Sequence, residues 1–116
     1  MTKQLVLSVA VLSFAGCAAI PIPVDHLERA GASIRGAEEV GAMNVPDAKL
    51  HLQLAKEQME LAKKMAAQGD DRAVLVLARA ESDAELALGM ARQASTRADA
   101  ERATDDLKAL QTRGAP

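Results

Sequence analysis

From Ala48 onward, apolar residues recur in alternating steps of four and three: Ala48, Leu52, Ala55, Met59, Ala62 and Ala66. That spacing keeps them on one face of a 3.6-residue helix. A second stripe runs Ala73, Leu77, Ala80, Ala84, Ala87, Ala91, Ala94 and Ala98, then passes to Ala100, Ala103, Leu107 and Leu110. A shorter stripe, Leu27, Ala30, Ile34, Ala37 and Gly41, comes before both. The pattern predicts helices over about 25–42, 46–68 and 71–110, within a helical domain spanning 25–111. Residues 112–116 read as a frayed tail.

The punctuation agrees. Asp25 is placed as an N-cap, with Glu28 three residues on completing a capping box. Pro46 suits a first helical turn, flanked by Asn44 and Asp47. Gly69 is a natural helix stop, and Asp70 or Asp71 caps the next start. Two long stripes joined by a tight turn predict an all-α fold. Its expected form is an elongated, alanine-rich antiparallel hairpin with coiled-coil-like packing. Helix three is nearly as long as helices one and two together. Its first half is therefore expected to pair with helix two and its second half with helix one, the first arm kinking near Pro46. A three-helix bundle is the alternative.

The start of the chain changes the picture. Lys3 precedes an apolar run, Leu5 to Leu12, which gives way to small residues. This is the build of a secretory signal, and it is too short for a spanning helix of about 20 apolar residues. Phe14-Ala15-Gly16-Cys17 resembles the lipobox of bacterial lipoproteins, with Phe14 standing where an aliphatic residue is usual. The resemblance implies cleavage after residue 16, a covalent lipid on Cys17 and no other cofactor. Residues 17–24, with Pro21 and Pro23, then form a stiff tether. Ala18 follows the cysteine where an Asp would direct inner-membrane retention. The resemblance thus implies the periplasmic face of an outer membrane.

Composition excludes several functions. Removing Lys3 from 14 basic residues leaves 13 against 16 acidic ones, with no basic stripe for nucleic acid. The single aromatic residue, Phe14, belongs to the signal, so the mature chain has no ring for base or sugar stacking. Cys17 is the only cysteine, which rules out an internal disulfide. His26 and His51 sit in different helices without a metal-site pattern and read as surface histidines. Glu81, Asp83 and Glu85 read as a solvated face, Asp83 pointing away from the other two. No metal site and no catalytic constellation emerges, and an enzyme is not expected.

One feature points outward. Leu50, Leu54, Leu61 and Met65 form a second apolar stripe on helix two, and Leu75 and Leu86 lie off the alanine seam of helix three. They are candidates for a partner face, since exposed apolar patches mark interfaces. The run Val45-Pro46-Asp47-Ala48, the Gly69-Asp70 turn and Asp83-Ala84-Glu85, set among regularly spaced alanines, resemble the domain of unknown function 4398 family of envelope lipoproteins. That family often accompanies an OmpA-like peptidoglycan-binding domain, so the resemblance implies an envelope protein of that kind as partner. Two functions follow as expectations: a helical adaptor docking another envelope protein, or a self-associating structural lipoprotein. The chain ends Arg113-Gly114-Ala115-Pro116, without the terminal lysine that links murein lipoproteins covalently to peptidoglycan, so no such link is expected.

Overall fold

A computed structural model describes residues 18–114. The signal sequence, Phe14, Ala15, Gly16 and Cys17 lie outside the described residues, as do residues 115–116. Three α-helices account for most of the chain: α1 (Val24–Glu39), α2 (Pro46–Ala67) and α3 (Ala73–Gly114). A single 3₁₀ turn, Ala42–Asn44, joins the first two. There is no strand among the described residues, and none of their helices is long and apolar enough to cross a membrane.

Each helix boundary has a local cause. α1 begins one residue before the expected cap: Pro23 occupies the N-cap position, Asp25 falls inside the first turn, and no side chain caps the end. The capping box is therefore not formed. The proline ring already restricts the backbone at the entry, so the helix starts there. α1 ends at Glu39 rather than near 42 because Gly41 turns left-handed at φ 87°. Pro46 opens α2 in its first turn, where its missing N–H costs nothing. At the other end, the Gly69 N–H donates to the Ala66 carbonyl and the Asp70 N–H to the Met65 carbonyl. With Gly69 at φ 76°, this is a Schellman stop. Asp70 Oδ1 accepts the Arg72 N–H at 3.0 Å and so starts α3, one of the two caps expected there. The bound Arg72 holds the Asp70 carboxyl below its usual pKa.

The tether is docked rather than free. Ile20 N–H donates to the Ala66 carbonyl at 3.0 Å, and a Cβ on Gly69 would stand 2.8 Å from the Ala18 carbonyl oxygen. The tether thus starts beside the α2–α3 turn.

The core is built almost entirely of alanine. Ala48, Leu52, Ala55, Ala62 and Ala66 of α2 face Ala73, Leu77, Ala80, Ala84, Ala87 and Ala91 of α3, all buried. Leu52 and Leu77 are the largest fully buried side chains among the described residues. Small seam residues let helices approach to the short end of the 8–10 Å interaxial range. The α2–α3 hairpin runs antiparallel, as expected.

α1 is placed differently from the expected kinked arm. It adds a third, parallel layer beside the first half of α3: His26 near its start meets Glu81, and Gly36 near its end lies against Leu88. Its buried residues, Ala30, Ile34 and Ala37, close the core, and Lys56 pairs with Glu38 across to α2. The three-helix alternative therefore describes residues 24–94 better than a two-armed hairpin does. Ala94 is half-buried, and every residue from Ser95 to Gly114 is exposed. The helix continues past 110 to Gly114, so 112–114 is not a frayed tail. At 1.5 Å per residue α3 is about 63 Å long, and nearly half of it stands clear of the bundle.

The reason lies in the helical phase. Ala100, Ala103, Leu107 and Leu110 do not continue the buried seam. At about 100° per residue they lie roughly 140° round the helix from it. Past Ala98 the continuation of the seam is interrupted by Glu101, Arg102 and Asp105, and it offers α1 and α2 no apolar residue larger than Ala109 to bury.

Candidate interaction surface

Among the candidate partner-face residues, Leu50 (55% exposed), Leu61 (49%), Leu75 (58%) and Leu86 (43%) face solvent, while Leu54 and Met65 are half-buried. Helical phase places the α2 set and the α3 pair on one side of the α2–α3 hairpin, the side away from α1. Polar groups separate the two rows. Asp83 accepts from Gln58 Nε2 at 2.9 Å and contacts His51 Nδ1 at 2.7 Å. Gln58 Oε1 is buried without a protein partner. A shallow groove lined by Gln58, Arg79, Ser82 and Asp83 runs along this line. The surface is thus two leucine rows flanking a polar floor.

The histidines are not loose surface groups. Both are half-buried and each ties a helix to α3. His26 Nδ1 lies 2.5 Å from Glu81 Oε2, and Arg29 Nε donates to Glu81 Oε1 at 2.6 Å. The Glu81 and Asp83 side chains are only 14% and 20% exposed, so the expected solvated face holds for Glu85 alone of the three. Glu81 and Asp83, two residues apart on α3, point apart as expected, but each points into a neighbouring helix. Glu81 reaches α1 and Asp83 reaches α2. The His26 contact, reinforced by Arg29, holds the Glu81 carboxyl below its usual pKa. These pairs set the angular position of each helix. No group of three or more His, Cys, Asp or Glu side chains that could hold a metal occurs among the described residues.

Sequence reasoning missed a further surface. Leu107 (61% exposed) and Leu110 (62%) were expected in the core and instead project from the bare half of α3. The signal was present in the spacing. The step from Ala98 to Ala100 turns about 200° and leaves the seam.

No family model, no curated protein and no solved structure matches this chain.

Proposed function

We propose that this protein is a non-catalytic helical interaction module of the bacterial envelope, held at the periplasmic face of the outer membrane through lipid on Cys17. One observation carries the interaction reading. A thin bundle with an alanine core leaves six leucines exposed among the described residues, and they form ordered rows along α2 and α3. Leucine is an expensive residue to leave in water, since fully burying one contributes about 1.5–3 kcal/mol. Rows of them on a soluble face mark a docking surface. The α2 row, Leu50 and Leu61 with Leu54 and Met65 behind, suits an amphipathic partner helix from another envelope protein, such as an OmpA-like protein. The anchor reading rests on the Phe14–Cys17 motif and the resemblance to lipoproteins of the domain of unknown function 4398 family.

The test is crosslinking from residue 61 in living cells, followed by mass spectrometry of what is captured. Capture of one particular envelope protein, lost in the Leu50→Glu/Leu61→Glu variant, sustains the adaptor reading. Capture of nothing but further copies of the chain from that face overturns it. Release of the Cys17→Ser variant from the membrane fraction checks the anchor separately.

A further inference from the structure

The exposed leucines of α3 are ordered by a strict seven-residue repeat. Leu75, Leu86, Leu107 and Leu110 all fall on one row with alternating steps of four and three. That row runs the length of the helix, on roughly the face opposite the one that holds α1 and α2. Between the leucines lie the small residues Ser82, Gly89, Ala100 and Ala103 together with Arg79, Gln93 and Thr96, all exposed. A heptad row of this kind is a coiled-coil seam without its partner.

The row fits a second copy of itself. Its steps of four and three allow antiparallel registers seven residues apart, and one of them overlaps the row from end to end. In that register Leu86 meets Ala103 of the second copy, Ser82 meets Leu107, and Gly89 meets Ala100. Leu75 meets Gly114 of the second copy, and Gln93 meets Thr96. Every leucine is set against a small residue, except that Leu110 meets Arg79, whose aliphatic stem can cover it while the charge reaches water. Arg92 and Asp99 of the second copy flank the centre as an attractive pair, formed twice by symmetry. A parallel pairing would instead set Arg79 against itself and Arg92 beside Arg97 of the second copy.

Gly89 supports the same conclusion independently. It sits in the middle of a 42-residue helix and nothing lies within 4 Å of the Cβ it lacks. A glycine there costs the helix up to about 1 kcal/mol relative to alanine, and nothing inside the chain requires it. A second backbone approaching against Ala100 does.

We propose that α3 is a dimerisation helix, and that two copies of this chain pair antiparallel, back to back, along the Leu75–Gly114 row. The proposal rests on the reading of the protein as an interaction module and names one of its partners. The bare half of each α3 then lies on the bundle half of the other. The centre of the register falls between Ala94 and Ser95, where the bundle ends. α1 and α2 of each copy stay on the outer sides, clear of the contact. The pairing is isologous, as a two-fold dimer requires. It also makes one contact worse than none: Glu85 comes level with Asp106 of the second copy.

The test is disulfide crosslinking of the full chain in bacterial membranes, read against the unsubstituted chain to discount Cys17. The Leu86→Cys/Ala103→Cys variant is expected to give covalent dimer, and neither single substitution to do so. Like positions lie about 25 Å apart in this register, as do the two cysteines within one chain. Dimer from either single variant shows a parallel pair and overturns the proposal, as does no dimer from the double variant. Gly89→Lys, added to the double variant, is expected to abolish the dimer. Compared at concentrations where the native chain is monomeric, its helix content and melting midpoint should equal or exceed the native values, so folding failure cannot explain the loss. Dimer surviving that change overturns the register. Glu85→Gln is expected to increase dimer yield, and a decrease overturns the assignment of its neighbour. Loss of the dimer with capture from residue 61 intact sinks this inference alone.

Discussion

The two halves of α3 belong to one unbroken helix and have opposite fates. Residues 73–94 bury a continuous seam of alanines around Leu77, while residues 95–114 bury none. Propensity therefore does not decide which half has partners inside the chain. Phase does. In the first half the small residues face α1 and α2. In the second, Ala100 and Ala103 have rotated to the far side, and charged residues interrupt the line along which the seam would have run. A long helix can thus carry two interfaces, each legible as a row of its own, provided the rows are separated by angle and not only by composition.

The sharpest way to break this contrast is to truncate one leucine in each half. Leu77→Ala empties one of the largest buried sites and should cost about 2–5 kcal/mol in urea unfolding. Leu107→Ala, measured where the chain is monomeric, should change the same curve by less than about 0.5 kcal/mol. Equal losses would show that the arm is packed in the folded monomer. Next in size is Asp83→Ala, which leaves His51 and Gln58 facing one another without their shared acceptor. About 1–2 kcal/mol should be lost, with α2 the helix that loosens in hydrogen exchange.

An effect of opposite sign is expected at Gly89. At concentrations low enough to keep the chain monomeric, Gly89→Ala should raise the thermal midpoint through a gain of up to about 1 kcal/mol. A loss would mean that the exposed face of α3 touches something inside the chain. The smallest effect concerns pH. The folded Glu81 carboxyl titrates below its usual range, so the stabilisation from its charged form is complete above the unfolded value. It is lost as the pH falls through the folded value. Between about pH 5 and pH 3 the native chain should therefore lose stability more steeply than Glu81→Gln, by a difference under about 1 kcal/mol. Parallel curves for the two proteins would show that the pair with His26 and Arg29 contributes nothing.

The parts legible in the sequence are those governed by local spacing. The alanine seams of α2 and the first half of α3, the turn at Gly69 and the start at Pro46 all follow from residues within a few positions of one another. Two things were not legible for a different reason. The place of α1 depends on whether it lies beside the near or the far half of α3, and both offer alanines at helical spacing. The His26–Glu81 and His51–Asp83 contacts join residues 55 and 32 positions apart, so no local pattern announces them. The exposed row of Ala100, Ala103, Leu107 and Leu110 is a third case. Its rotation away from the seam is written in the sequence, but a straight helix shifts any seven-residue stripe by about 20° per heptad, so a stripe that moves does not by itself announce a second face.

The docking of the tether against the α2–α3 turn has a consequence for how the molecule stands. Ala18 leaves beside Gly69, at one end of a rod about 63 Å long. On the proposed lipid anchor, a single chain held at that end would point its bare arm away from the bilayer like a mast. In the proposed antiparallel pair the two anchored ends would stand opposite one another. Both can reach one bilayer only when the rod lies down along it, as a plank on two trestles, with the α2 rows of the two copies turned to opposite flanks. Pairing would then convert an upright probe into a low, two-legged rail, and the height of the arm tip above the membrane would report which form is present.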